Sequence, residues 1–123
     1  MFRYMWSVEY TNEFGAWFET LTEEQQEAIA ARVGQLELHG PALRRPIVGE
    51  IQGSTFAPRM KELRCSRDGA LRVLFMFDPR RTAILLVGGD KAGKWLEWYQ
   101  TAIPQAEALY RLYLKEIERE EQT

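Results

Sequence analysis

Two short apolar segments joined by a tight turn constrain the fold of this chain more than any other feature. Residues 71–77 read LRVLFMF and residues 82–87 read TAILLV, with DPRR at 78–81 between them. An almost wholly apolar segment of this kind is typical of a strand that is covered on both faces. Because the connection is a tight turn, the two strands are expected to pair in the antiparallel direction.

The N-terminal third of the chain predicts one strand and two helices. WSVEY at 6–10 alternates and is rich in strand formers. Thr11 or Asn12 is expected to cap a first amphipathic helix, and Thr22 a second one that ends near residue 40. His39 lies at that helix end, where a terminus role is more common for histidine than catalysis.

The middle of the chain predicts a long connection followed by a hairpin. Residues 41–59 are rich in proline, glycine and arginine, which favours an irregular loop. MKELRC at 60–65 is a strand candidate, and Asp68-Gly69 is a strong signal for a hairpin turn into the next strand.

The C-terminal region predicts one helix and completes a single domain. Pro104 is expected to open this helix, and the charged tail from about residue 115 is expected to fray. With 123 residues and 46% hydrophobic residues, the chain suits one domain over 1–123. The predicted fold class is α+β: a small, mostly antiparallel sheet with two N-terminal helices packed on one side, and a C-terminal helix.

Charge is distributed unevenly along the chain. The formal net charge is −2, but residues 41–94 hold 11 basic and 5 acidic side chains. A basic segment of this kind can bind phosphates, although runs of charge are usually only solvated surface. The chain shows no secretory signal and no membrane-length apolar run. A single cysteine, Cys65, fits a reducing compartment, so a cytoplasmic location is expected.

Basic side chains are expected to converge on the sheet. In MKELRC, side-chain alternation puts Glu62 and Arg64 on one face of the strand. Lys61, Leu63 and Cys65 share the other face. Arg72 is the only charge in its strand, and such a charge must be paired or must lie in a groove.

The segment GGDKAGKW at 88–95 follows the last apolar strand. Its two glycines are expected to turn the chain sharply and to allow another chain to approach closely. Asp90, Lys91 and Lys94 leave that turn together, and Trp95 could stack on an unpaired base. Core packing is the more common role for the next tryptophan, Trp98.

The residues exclude several reaction classes. One cysteine and one histidine make a zinc site implausible, and no cofactor motif, nucleophile elbow or phosphate loop is present. A basic cluster suits RNA cleavage by the substrate's own 2′-hydroxyl, because the protein then supplies only positioning, proton transfer and positive charge.

The order of several segments resembles a known family. RRP at 44–46, QGS at 52–54, MKELRC, LRVLFMFDPRRTAILLVGGDKAGKW at 71–95 and WYQTAIPQAEALYRLYL at 98–114 together resemble the HigB-like branch of the RelE/ParE toxin superfamily. The resemblance implies a RelE-like fold and the toxin of a type II toxin–antitoxin system. It further implies a ribosome-dependent mRNA endoribonuclease that inhibits translation and is silenced by a helix-turn-helix antitoxin.

The resemblance also implies positions for the functional residues. Arg64, Arg72, Lys91 and Lys94 match the basic active-site positions, with Lys91 or Lys94 as general base or acid. The residues expected to contact substrate are Lys61, Asp90, Trp95 and Arg45. Some members use a late-chain His or Tyr pattern, which this chain lacks unless Tyr99 or Tyr110 substitutes for it. The expected partners are the antitoxin, the ribosome and mRNA, with DNA contacted only through the antitoxin.

Two alternatives stay open at the level of sequence. The ParE branch has the same fold but inhibits DNA gyrase without cutting RNA, and fold alone does not decide between these activities. The chain could also be an inactive remnant whose basic face only holds an antitoxin.

Overall fold

A computed structural model describes residues 5–122, apart from residues 57–58, 91–92 and 94 and the side chain of Trp95. The elements follow in the order β1 (Ser7–Tyr10), α1 (Asn12–Glu19), α2 (Glu23–His39), a 3₁₀ turn (Gly40–Ala42), β2 (Val48–Glu50), β3 (Lys61–Cys65), β4 (Leu71–Phe77), β5 (Thr82–Asp90) and α3 (Trp95–Glu121).

The five strands form one sheet in the order β1-β5-β4-β3-β2. The pairs β2/β3, β3/β4 and β4/β5 are antiparallel, whereas β1 pairs with β5 in parallel. The predicted α+β class, with a mostly antiparallel sheet and a C-terminal helix, is therefore confirmed. The predicted antiparallel pairing of residues 71–77 with residues 82–87 is also confirmed.

Helices cover both faces of the sheet. Val73 and Phe75 of β4 pack beneath α1 and α2, and the intervening Leu74 and Met76 pack beneath α3. Because alternate side chains of a strand point to opposite faces, a strand covered on both sides must be apolar throughout. This explains the unbroken sequence LRVLFMF, in which the half-buried Arg72 is the one charged residue.

The predicted starts of the first two helices are confirmed by their caps. The Thr11 hydroxyl accepts the Phe14 N–H at 3.0 Å. Thr22 and Gln25 form a reciprocal capping box, in which each side chain accepts the other residue's backbone N–H. Both devices satisfy amides that have no partner inside the helix, so they fix where each helix begins.

The expectation that residues 41–59 are wholly irregular is wrong. A 3₁₀ turn occupies Gly40–Ala42, and Val48–Glu50 forms the short edge strand β2. β2 pairs with β3 through the register Gly49↔Glu62. A three-residue strand shows little alternation in sequence, and it exists here because β3 offers it a free edge.

The expected start of the last helix at Pro104 is also wrong, whereas fraying of the tail stays a prediction. α3 begins at Trp95, contains Pro104 and continues to Glu121, with Ile117 buried. Proline removes one helical hydrogen bond. Apolar contacts on both sides of Pro104 outweigh that loss, because Ala102 and Ala106 both lie in the core under α3. The helix therefore continues through Pro104, the residue at which the sequence predicted that it would begin.

The Gly88-Gly89 pair does not turn the chain sharply, as the sequence led us to expect. Both residues lie inside β5, which continues to Asp90. A Cβ at Gly88 would meet the Trp17 ring at 2.2 Å, and a Cβ at Gly89 would meet the Trp98 ring at 2.0 Å. The glycines make room for one tryptophan on each face of the sheet, which gives Trp98 the packing role expected of it.

Hydrogen bonds to a buried carboxylate of α3 hold the loop before β3 in place. Glu107 accepts hydrogen bonds from Ser54 Oγ, Thr55 N and Thr55 Oγ1, at 2.9, 2.6 and 2.7 Å. Burial by itself raises the pKa of Glu107, but the hydrogen bonds from Thr55 and Ser54 outweigh it and hold the pKa below its ordinary value.

Within the described residues, no helix is both long and apolar enough to cross a membrane.

Candidate active site

Two arginines lie side by side on the face of the sheet that α3 covers. The register between β3 and β4 places Arg64 directly opposite Arg72. Like charges at such a position repel each other unless a counter-charge is present. The Arg64 side chain is 30% exposed and that of Arg72 is 11% exposed. The pair therefore needs a built-in anion, and it keeps partial access to solvent.

Glu62 supplies that anion from the same face of β3. Its carboxylate is 4% exposed and accepts a hydrogen bond from Arg64 Nε at 2.9 Å. The other oxygen, Oε1, lies 3.9 Å from Arg72 Nε. One buried carboxylate thus lies between two guanidinium groups, which are held at fixed positions on neighbouring strands.

Tyr99 of α3 contacts Glu62 from the helix that covers this face of the sheet. Its hydroxyl donates a short hydrogen bond to Glu62 Oε1. Burial, together with this hydrogen bond, raises the pKa of Tyr99 well above its ordinary value. The hydroxyl therefore stays protonated at neutral pH and acts as a donor to the carboxylate.

Arg72 retains unused hydrogen-bonding capacity. One terminal nitrogen, Nη1, donates to its neighbour's backbone carbonyl, Leu71 O, at 2.9 Å. Its Nε is buried and has no hydrogen-bond partner among the described residues. A buried donor without a partner is costly, and such groups often occur where a ligand completes the bonding.

The neighbouring backbone fixes Arg64 in position. Its N–H donates to Ile47 O at 2.7 Å and its carbonyl accepts from Arg32 Nε of α2 at 3.1 Å. The guanidinium lies over Gly49 of β2, where an added Cβ would come within 2.2 Å of it. Gly49 is thus the position in β2 that gives the Arg64 side chain its space.

Only some of the predicted site residues come together. Arg64 and Arg72 meet, and Asp90 ends β5 at the same end of the sheet, where its carboxylate accepts the Ala70 N–H at 3.1 Å. Lys91 and Lys94 lie outside the described residues, so their predicted convergence on this patch stays a prediction. Trp95 begins α3, and the position of its side chain is likewise not described.

The other two predicted substrate contacts lie elsewhere. Lys61 points to the opposite face of β3 from Arg64, as the alternation predicted, and pairs with Glu50 at 3.7 Å. Arg45 lines a cavity next to Lys61 on the α2 side of the sheet. Neither residue is part of the arginine pair.

Sequence reasoning missed the roles of Glu62 and Tyr99. Glu62 was placed correctly on the face of Arg64, but only the pairing of β3 with β4 shows that it lies between two arginines. Tyr99 was named solely as a possible substitute for a late-chain residue. The useful signal was a carboxylate two residues before an arginine in a strand, since those two side chains share a face.

This arrangement can bind an anion. Two guanidinium groups present several N–H donors in a planar geometry that matches phosphate oxygens. Among the described residues, no group of three or more His, Cys, Asp or Glu side chains could hold a metal ion.

Comparison with protein families and sequences identifies the relatives of this chain. Residues 16–111 match the family of phage-derived Gp49-like proteins, DUF891. A Mycobacterium tuberculosis protein named as toxin HigB3 is 46% identical over 91 residues, which are 74% of this chain and 78% of that protein. A second protein of that organism, named as toxin HigB2, is 38% identical over 115 residues, or 92% of this chain and 56% of the relative.

Comparison with solved structures identifies the fold. The Escherichia coli toxin RelE, as a double arginine-to-alanine mutant in the free state, superposes with a TM-score of 0.60 at 12% identity, covering 81% of this chain and 96% of RelE. The RelBE2 toxin–antitoxin complex of Mycobacterium tuberculosis gives 0.52 at 15% identity, covering 71% of this chain and 99% of the matched chain. The family expected from the sequence is thereby confirmed. The matching sequence shows that the chain belongs to the Gp49-like family and is HigB-like, and its fold is that of RelE.

Proposed function

We propose that the protein is the toxin of a type II toxin–antitoxin system and a ribosome-dependent mRNA endoribonuclease. The observation that supports this most directly is the pair Arg64 and Arg72, held on both sides of Glu62, with a buried Arg72 Nε that has no hydrogen-bond partner among the described residues. A phosphodiester group would supply the missing acceptor. RNA carries its own nucleophile, so a site made of positive charge and hydrogen-bond donors is sufficient for its cleavage.

The proposed reaction is attack of an RNA 2′-oxygen on the adjacent phosphorus. The 2′-hydroxyl loses its proton to a base, the bond from phosphorus to the 5′-oxygen breaks, and that oxygen takes a proton from an acid. Arg64 and Arg72 stabilise the negative charge that develops on the phosphate. The proton-transfer roles are assigned to Lys91 and Lys94, with Asp90 setting the lysine charge or acting as the base, and Trp95 stacking on a base of the RNA.

Glu62 and Tyr99 act as positioning residues in this scheme. Glu62 holds both guanidinium groups in place, and the protonated Tyr99 hydroxyl in turn fixes the Glu62 carboxylate. Groups positioned before the substrate arrives need no reorganisation during the reaction, which is the main source of electrostatic catalysis.

The same geometry supports the proposed requirement for the ribosome. None of the described residues near the arginine pair is a strong, exposed base, and the catalytic groups are long cations. Such a site works only on RNA that is held in a near-attack conformation, and the ribosome can impose that conformation. Purified protein should therefore cleave naked RNA poorly.

The proposed partners and location are those of such a toxin. The solved relatives include toxin–antitoxin complexes, and we extend this to a helix-turn-helix antitoxin that covers or distorts the Arg64/Arg72 face of this chain. Ribosome and mRNA are the proposed targets, the cytoplasm is the proposed location, and DNA is contacted only through the antitoxin.

The test uses one substitution at each arginine. Arg64→Ala removes a partly exposed guanidinium, and Arg72→Lys keeps a positive charge beside Glu62 but loses the planar donor set. Each change should reduce mRNA cleavage in a ribosome-based translation assay by on the order of a hundredfold, the typical cost of losing one charge-stabilising donor. Lys115→Ala/Arg119→Ala, on an exposed part of α3, serves as the charge control and should cleave normally.

The same proteins should be assayed for gyrase supercoiling. Growth arrest with intact mRNA and inhibited supercoiling would favour the ParE-like alternative. Normal growth on induction of the wild type would favour an inactive remnant.

A further inference from the structure

A second basic pocket lies on the other side of the sheet from the arginine pair. This cavity of about 500 Å³ forms between the loop after α2 and the ends of β2, β3 and β4. Arg44, Arg45 and Lys61 contribute its positive charge, and Leu43 and Phe77 contribute apolar surface.

Positive charge in this pocket is only partly neutralised. Glu50 is the single carboxylate among the described lining residues, and it pairs with Lys61 at 3.7 Å. Arg44 and Arg45 are exposed, and no hydrogen bond or ion pair of their side chains is found with a described residue. Their guanidinium groups are therefore available to an anion from solvent, and they match phosphate oxygens in geometry.

The apolar part of the pocket gives it a second kind of surface. Phe77 is half-buried, and its ring packs edge-on against Trp6 with the centroids 5.0 Å apart. Arg81 lies over the Trp6 ring at 4.4 Å, so the basic and aromatic surface continues beyond the pocket. Aromatic rings interleaved with arginines are typical of surfaces that bind single-stranded nucleic acid, because bases stack while phosphates pair with cations.

The pocket is separate from the proposed cleavage site. Phe77 follows Arg72 by five residues along β4, a distance of roughly 17 Å at about 3.3 Å per residue. The two sites also lie on opposite faces of the sheet, since Lys61 and Arg64 have opposite parity in β3. Gly49 of β2, beside the Arg64 guanidinium, also borders the pocket, so an extended RNA can contact both sites.

We propose that this pocket is a non-catalytic RNA site, which binds a phosphate through Arg44 and Arg45 and a base or ribose against Phe77. The inference rests on the proposed function, because it adds an anchoring point to an RNA-cleaving protein. An acidic protein segment would also meet the charge requirement, but the aromatic surface beside the arginines favours RNA. The RNA could be the message or ribosomal RNA, since both present the same backbone.

The test is Arg44→Ala/Arg45→Ala compared with Lys115→Ala/Arg119→Ala, which removes the same charge from α3. The Arg44 backbone carbonyl accepts the hydrogen bonds that hold the start of β2, so truncating the side chain should leave the fold intact. Binding is measured with a fluorescein-labelled single-stranded RNA and, separately, with protein-free 16S ribosomal RNA, over a range of salt concentrations.

The pocket variant should bind at least tenfold more weakly than the control, and its salt slope should fall by roughly 0.7 for each phosphate that the pocket no longer holds. A weakening with the labelled RNA assigns the pocket to the message, and a weakening confined to 16S RNA assigns it to ribosomal RNA. Equal binding by the two variants to both RNAs would overturn the proposal, as would a selective weakening of antitoxin binding. The proposed function fails separately, if the wild type arrests growth without cutting mRNA.

Discussion

Substitution of Gly49 offers a way to move Arg64 without deleting it. A Cβ at Gly49 would lie 2.2 Å from Arg64 Nη2 and 2.5 Å from Cζ, well inside contact distance. The clashing atoms are the far end of a flexible side chain that is 30% exposed, so Arg64 can move toward solvent. Gly49→Ala should therefore break the 2.9 Å bond between Arg64 Nε and Glu62 while leaving the strand in place.

The expected change in the free energy of unfolding is small. Replacing glycine by alanine at a compatible position stabilises a protein by about 0.4–1 kcal/mol through the unfolded state. Breaking the Arg64–Glu62 hydrogen bond costs about 1.5 kcal/mol, at the low end for a charged pair because Arg64 is partly solvated. The net effect should lie within about 1 kcal/mol of zero. Cleavage of mRNA, by contrast, should fall by roughly ten- to a hundredfold, because a displaced guanidinium no longer faces the phosphate.

Gly34→Ala is the matched control. Gly34 lies on the exposed side of α2, where an added Cβ meets no other atom within 4 Å. The substitution should stabilise the helix by about 1 kcal/mol and leave cleavage unchanged. Urea unfolding and ribosome-dependent cleavage would be measured for both variants. Wild-type cleavage by Gly49→Ala would refute the assignment of Arg64 to the phosphate, provided that spectroscopy shows the guanidinium has moved.

Three further substitutions test other parts of the structure. Glu62→Ala should lower the free energy of unfolding by about 3–5 kcal/mol in urea denaturation, because it leaves the buried Arg72 charge uncompensated; a cost below about 1 kcal/mol would contradict the ion cluster. The pKa of Glu107 is lowered in the folded protein, so the stability that its carboxylate contributes is present above pH 4.5 and is lost as the pH falls through the folded pKa. When the pH of a melting experiment is lowered below 4.5, Glu107→Gln should therefore lose less stability than wild type does. Gly88→Ala should lower stability by about 1–3 kcal/mol through its clash with Trp17, and a thermal midpoint equal to wild type would contradict the packing of Trp17 on β5.

The sequence by itself determined β1, β3, β4 and β5, the caps of α1 and α2, and the family. Alternation and apolar content are local signals, so residues 71–77 and 82–87 could be assigned as paired strands before any tertiary contact was known. Thr22 could be assigned as a cap for the same reason, since its partner lies three residues away in the chain. The alternation of β3 also placed Glu62 and Arg64 on one face.

The tertiary structure decided where elements end and which side chains meet. Pro104 and the Gly88-Gly89 pair read locally as breaks, but packing against the core and the two tryptophans carried α3 and β5 through them. The Glu62–Tyr99 contact joins residues 37 positions apart, and no local pattern encodes it. Arg45 and Lys61 were expected to contact the same substrate as Arg64, but they line a cavity on the opposite face of the sheet. Charge and residue type are properties of the sequence, whereas the distance between two charges depends on strand register and helix docking, which only the folded chain sets.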